Sequence, residues 1–198
     1  APHFNRYARG TAWPLRGIKT QLWEGGIRVP AILRWPGHVP AGKTCETPVS
    51  ALEVFPTLCE AAAVKPPGPL DGGADLARLA NGSHADRSLF FESHVPQRGV
   101  PASLPMAVRR GRWKLFANYG FTKFELYDVA ADIGEKTNVA REHEDIVQAM
   151  KRELQTWYAQ FAQSIEADYK LSMKTVATPS WHELERSYYH NHPAGEHR

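Results

Sequence analysis

The first setting in the chain that suggests chemistry is "LRGIKTQLWEGGIRVPAILRWPG", Leu15 to Gly37, where Lys19 stands just ahead of a Glu24-Gly25-Gly26 turn and an apolar run. A lysine set beside a tight turn and an apolar run raises the question of what its ammonium serves. Nine histidines form the second group of candidates, because an imidazole can gain a proton just below neutral pH. Three of them, His190, His192 and His197, fall in the last nine residues of the polar tail. No hydrophobic frame there would hold ligand geometry, so no metal site is expected in the tail. Cys45 and Cys59 are too few for a disulfide framework and match no zinc spacing, so both read as ordinary thiols.

The elements that must position these groups follow from periodicity. Ile27 to Trp35 is apolar and β-rich, and Pro36-Gly37 closes it, which predicts a strand. Ser50 to Ala63 reads as a helix whose apolar face is Leu52, Val54, Phe55, Leu58 and Ala62; Pro56 inside the pattern predicts a kink or a later start. A strand followed by a helix suggests an α/β layer. Val64 to Ser83 is crowded with Pro and Gly and reads as a loop or linker. Short strands are then expected at Ser88 to Ser93, Met106 to Arg110, Trp113 to Asn118 and Phe124 to Asp128, with a hairpin turn at Arg110-Gly111-Arg112. Glu144 to Ile165 repeats apolar residues at helical spacing, from Ile146 through Val147, Met150, Leu154, Trp157 and Tyr158 to Phe161. Such a stripe must pack on something, and the preceding antiparallel sheet is the natural partner. The expected organisation is a first part over 1–83, a small α+β lobe over 84–167 and a polar tail over 168–198.

Composition restricts the function classes. The chain has 198 residues, 42% of them hydrophobic, enough to bury a core. A formal charge of +3, from 24 basic and 21 acidic residues, is too small and scattered for a nucleic-acid groove or a polybasic membrane anchor. No apolar stretch reaches the roughly 20 residues that span a bilayer, and the first residues show no basic region followed by an apolar core. The expectation is a soluble protein with neither nucleic acid nor membrane as partner. The opening "APHFNRYARG" lacks an initiator Met, which suggests a processed or excised piece of a longer chain.

Several fragments in order resemble one family. Pro14-Leu15-Arg16-Gly17-x-Lys19, Trp23-Glu24-Gly25-Gly26-x-Arg28-x-Pro30 and Arg34-Trp35-Pro36-Gly37 are similar to the C-terminal half of a type I sulfatase, the arylsulfatase branch of the alkaline-phosphatase-like superfamily. Phe55-Pro56-Thr57-Leu58, Asp71-Gly72, Ala107-Val108-Arg109-x-Gly111-x-Trp113-Lys114-Leu115, Leu126-Tyr127-Asp128 and Gly134-Glu135-x-x-Asn138 follow in the family's order. The resemblance covers Pro14 to Trp157. It implies the C-terminal part of an alkaline-phosphatase-like α/β domain, followed by a small lobe of antiparallel sheet packed with a long helix. It also gives Lys19 a role, since the lysine at this place in sulfatases reaches the sulfate. His94, at the end of "LFFESH", is implied as a substrate-binding candidate, because that strand end can approach the pocket; His3 lies near where the family's last metal ligands would end. Glu24, Arg16 and Arg28 read as structural, the first and last as an ion pair across the turn.

Missing residues limit what is implied. Sulfatases make formylglycine from cysteine in a Cys-x-Pro/Ala-x-Arg context. Cys45 is followed by Glu-Thr-Pro-Val and Cys59 by Glu-Ala-Ala-Ala, so neither fits. The calcium ligands of the family are oxygen donors expected upstream. The resemblance therefore implies a sulfatase fragment, inactive alone, whose full-length parent hydrolyses a sulfate ester with formylglycine and calcium and pairs this chain with the missing N-terminal half. A sulfated carbohydrate is one substrate class it implies, and the parent is expected to be periplasmic, extracellular or lysosomal. Two other readings stand beside it. One is a non-catalytic truncated protein or sulfated-glycan binding module, and the other is a phosphoester hydrolase of the same superfamily.

Overall fold

The computed structural model describes residues 12–73, 87–93 and 103–172, with the side chains of 161–172 left aside. The chain divides into two compact units, Ala1–Leu154 and Gln155–Arg198.

Within the first unit, four strands form an antiparallel meander in chain order: β1 (Ser88–Glu92), β2 (Met106–Arg110), β3 (Trp113–Ala117) and β4 (Phe124–Asp128). Each lies within a residue of its expected bounds. Register follows from the β2–β3 hairpin, where Arg110 pairs with Trp113 across the two-residue turn Gly111-Arg112. Gly111 has φ +55°, the left-handed value that the first central position of a tight hairpin requires and that glycine adopts without strain. The chain after β4 returns along its edge. There Leu126 N donates to Asn138 Oδ1 at 3.0 Å and Val139 N to Leu126 O at 2.9 Å, so that edge is not left open.

Both faces of the sheet are covered, which is why Met106, Ala107 and Val108 are buried in succession rather than alternately. One face meets the part of α3 (Glu144–Ser172) that lies in this unit, up to Leu154. Ser88 and Arg110 both bond Glu153, Lys151 Nζ lies 5.1 Å over the Phe124 ring, and Trp113 tilts against His143 just before the helix. Val147, Met150 and Leu154 are buried along this side of the helix, as the spacing predicts. Trp113 is only half-buried, because it sits at the strand end beside the hairpin. The helix extends beyond its expected end at Ile165 to Ser172. In the second unit it carries Trp157 and Tyr158, both half-buried.

The opposite face of the sheet packs on the segment around α1 (Glu24–Ile27). Leu22 and Trp23 join Ala107, Phe116, Tyr127 and Val129 in one core cluster, with Ile27, Phe91 and Leu104 at its border.

The strand expected over Ile27 to Trp35 is not formed. Ile27 ends α1, and 28–35 is irregular, with Val29 and Ile32 78% and 96% exposed. A strand exists through hydrogen bonds to a neighbour, and among the described residues none pairs with this run. The expected helix over Ser50 to Ala63 is a 3-10 turn, Ala51–Glu53, leading into α2 (Val54–Ala61). Pro56 falls in the first turn of α2, where its missing N–H costs nothing, so the proline marks the later start. A reciprocal cap holds the entrance: Ser50 N donates to Glu53 Oε2 at 2.7 Å and Leu52 N to Ser50 Oγ at 3.3 Å. Arg87, just before β1, pairs with the same Glu53. The apolar face of α2 is nonetheless open to solvent, with Leu52, Val54, Phe55 and Leu58 all at least half exposed. Among the described residues no helix is long and apolar enough to cross a membrane.

Candidate functional site

Lys19 stands at the tip of a tight turn. Gln21 N donates to Ile18 O at 3.0 Å, and the Gln21 side chain closes the turn from the other side by accepting from Ile18 N at 2.8 Å. Lys19 and Thr20 are the two central residues, and both are exposed. Thr20 has φ +79°, a left-handed value that a β-branched residue adopts at a cost of about 1–3 kcal/mol. Glycine is the usual occupant of this turn position. The strained turn is held from outside by two serines: Ser93 Oγ donates to Thr20 O at 3.0 Å, and Leu22 N donates to Ser103 Oγ at 3.0 Å.

The Glu-Gly-Gly turn is the other half of this construction. Gly25 N donates to Arg16 O at 2.7 Å. A Cβ on Gly25 would lie 2.6 Å from both Arg16 O and Gly17 O, and one on Gly26 would lie 2.0 Å from Gln21 O and 2.6 Å from Ile18 O. Contacts that short do not occur, so the two glycines are what lets the lysine turn wrap directly on α1. Arg16 orients the near side of the loop as expected. Its guanidinium stacks 3.8 Å from the Trp23 ring centroid and donates to Glu135 O at 2.6 Å.

Beneath the loop lies a buried cluster of charges. Glu24 is 1% exposed, and Lys114 and Glu135 are fully buried. Glu24 Oε1 lies 3.0 Å from Lys114 Nζ, and its Oε2 accepts from Arg109 Nη1 at 2.8 Å. Arg109 and Lys114 face each other across β2 and β3, so the sheet register offers one cation to each oxygen. Glu135 Oε1 is also 3.0 Å from Lys114 Nζ, a charge contact not aligned as a hydrogen bond. Its Oε2 accepts from Glu24 N at 2.6 Å, which satisfies a first-turn donor that Trp23 does not cap. Burial pushes the Glu135 carboxyl above its ordinary value, against the pull of the Lys114 charge. At the margin of the cluster, burial and Glu125 push the Tyr127 hydroxyl up to about 12.

The ion pair expected between Glu24 and Arg28 is a minor contact at 3.8 Å. Arg109 and Lys114, far along the chain, are the principal partners that local spacing does not reveal. A signal for Lys114 does exist in the sequence: it is a lone cation in the apolar strand "WKLFA". His94 and His3 lie outside the described residues, and the residue before His94, Ser93, is the one that clasps Thr20. Among the described residues no three His, Cys, Asp or Glu side chains form a group able to hold a metal ion, and Cys45 and Cys59 are free thiols outside a formylglycine context. The described side chains therefore fit neither a metal ion nor formylglycine.

Residues 18–160 match the family described as "N-sulphoglucosamine sulphohydrolase, C-terminal". The chain is similar to a sulfatase of Formosa agariphila, 32% identical over 162 residues that cover 73% of this chain and 29% of the relative. It is similar also to human arylsulfatase A, 33% identical over 181 residues, covering 76% and 34% respectively. In structure it resembles Ps i-CgsB crystallised with k-i-k-neocarrahexaose, with a TM-score of 0.62 and 31% identity over 73% of this chain and 32% of that one. The chain thus spans about a third of the length of the curated relatives it matches.

Proposed function

The chain belongs to the N-sulphoglucosamine sulphohydrolase C-terminal family of sulfatases, and we propose that it is the C-terminal portion of an enzyme that hydrolyses sulfate esters. Lys19 contacts the sulfate in this reading. The observation that carries it is the turn itself: an exposed lysine on a strained backbone, clamped by two serines, two glycines and a buried charge cluster, inside the region that matches the family. Fixed placement of this kind is what charge stabilisation in a transition state needs. A mobile surface lysine would need none of it.

In the full-length parent the nucleophile is proposed to be formylglycine and the metal calcium, both supplied by sequence outside this chain. What this chain's residues do is bind and orient. The Lys19 ammonium attracts the sulfate oxygens and offsets charge that builds on them, while Ser93, Ser103 and Gln21 keep its backbone in place. His94 is proposed as a second substrate-binding residue, carried by the chain segment that follows Ser93. The substrate proposed is a sulfated carbohydrate, in line with the oligosaccharide complex of the similar structure. A periplasmic, extracellular or lysosomal location belongs to the same proposal.

The test is Lys19→Ala in the full-length parent, read as release of inorganic sulfate from a sulfated oligosaccharide and from a chromogenic aryl sulfate. Loss of kcat by about 100-fold or more is expected, the magnitude of one lost transition-state donor. Unchanged hydrolysis would remove Lys19 from the chemistry. Intact mass and N-terminal sequencing of the native protein decide the rival reading: a mass near 22.2 kDa starting at Ala1 would leave a binding module.

A further inference from the structure

We propose that Lys114 is a positioning residue for Lys19: a buried cation of the small antiparallel sheet fixes the turn that presents the reactive ammonium. The inference rests on the reading of Lys19 as the sulfate-contacting residue.

A fully buried lysine in an apolar strand is a poor way to gain stability. Desolvation of the charges offsets most of their attraction, and replacing a buried ion cluster by apolar residues is often neutral or stabilising. What such a cluster provides is direction. Lys114 Nζ lies 3.0 Å from Glu24 Oε1 and 3.0 Å from Glu135 Oε1. The first of these carboxylates belongs to α1, and the second accepts the backbone N–H of that same Glu24. Lys114 thus governs α1 through its side chain and through its main chain together. Arg109, its cross-strand neighbour, fixes the remaining oxygen of Glu24; Arg28 reaches the same oxygen only at 3.8 Å.

The path from Glu24 to Lys19 is short and stiff. Gly25 N bonds Arg16 O, and Gly26 touches the carbonyls of Ile18 and Gln21 with no side chain between them. Those two carbonyl residues bracket Lys19 and Thr20. A shift of Glu24 therefore moves the lysine turn rather than being absorbed by flexible side chains, and a misplacement of about 1 Å can cost on the order of 100-fold in rate.

The test uses the full-length parent. Lys114→Met combined with Glu135→Gln removes the brace but leaves the Glu24–Arg109 pair balanced, and the Gln carbonyl can still accept from Glu24 N. Near-UV circular dichroism confirms folding. The expected result is a fall in kcat of about 10- to 100-fold with KM little changed, and no further fall when the same pair is introduced into Lys19→Ala. That non-additivity is what a purely structural role would not produce. Full kcat in the folded variant, or an equal fractional loss with and without Lys19, overturns the proposal. If the double variant does not fold, Lys114→Arg takes its place in the same cycle, since it keeps the charge but not the compact donor geometry. Its effect must likewise disappear in Lys19→Ala for the proposal to stand. Lys19→Ala with unchanged hydrolysis overturns the underlying reading instead, a distinct result.

Discussion

At the scale of single residues, the site combines strain with buried charge, and each has a measurable consequence. Thr20 holds φ +79°. Thr20→Gly should relieve about 1–3 kcal/mol of backbone strain while adding about 0.5–1 kcal/mol of unfolded-state freedom. A net gain of about 1 kcal/mol is expected in urea unfolding, and a loss would mean that the threonine side chain holds the turn. Glu135 offers a pH test. Its folded carboxyl titrates above the ordinary 4.5, so just above that pH the folded state keeps a proton that the unfolded chain has released. Stability contributed by this group therefore falls as pH rises through the folded value. Glu135→Gln should flatten that part of the stability profile, measured as urea midpoints from pH 4 upward; an unchanged slope would assign it to other groups. Tyr127 is pushed up to about 12 by burial and by Glu125. Spectrophotometric titration should show one tyrosine ionising well above the ordinary value near 10, and Tyr127→Phe should remove that step.

At the scale of elements, the sheet is a partition with two different coverings. The helix side is apolar and follows its sequence stripe, so Leu154→Ala, at a fully buried position, should cost about 2–5 kcal/mol in denaturant unfolding. A cost below about 1 kcal/mol would mean that the helix packs less tightly than its burial indicates. The loop side combines an apolar cluster with buried polar geometry. There Lys114 and Phe116 alternate with Leu115 on the same strand, and the lysine takes a place that hydrophobic patterning would assign to a core residue. The two short helices illustrate a second point. Pro56 marked a helix start correctly because its effect is local, through a missing N–H and a fixed φ. The run over Ile27 to Trp35 has strand composition but no strand, because pairing is not a local property.

At the scale of the whole molecule, the exposed apolar residues are the informative ones. Val29 and Ile32 on the segment after α1, and Leu52, Phe55 and Leu58 on or near α2, are open to solvent. Exposed apolar surface that collects along an element marks a surface meant to be covered. In the reading proposed for this chain the cover is the remainder of the sulfatase domain. The chain produced alone should then bind an apolar-surface dye such as ANS, and the full-length parent should lose most of that fluorescence; equal fluorescence from both would argue that these faces stay open. Sequence by itself determined what local rules govern: the four short strands and their hairpin, the α3 stripe, the glycines of the Glu24-Gly25-Gly26 turn and, through ordered motifs, the family. Tertiary structure alone decided the partners of Glu24, which lie 85 and 90 positions away. Spacing suggested Arg28, four residues on across the turn, because local proximity can be read from a string of letters. A cation delivered by strand register cannot be read that way, since it becomes a neighbour only when the sheet folds over the loop and excludes the water that would otherwise separate the charges.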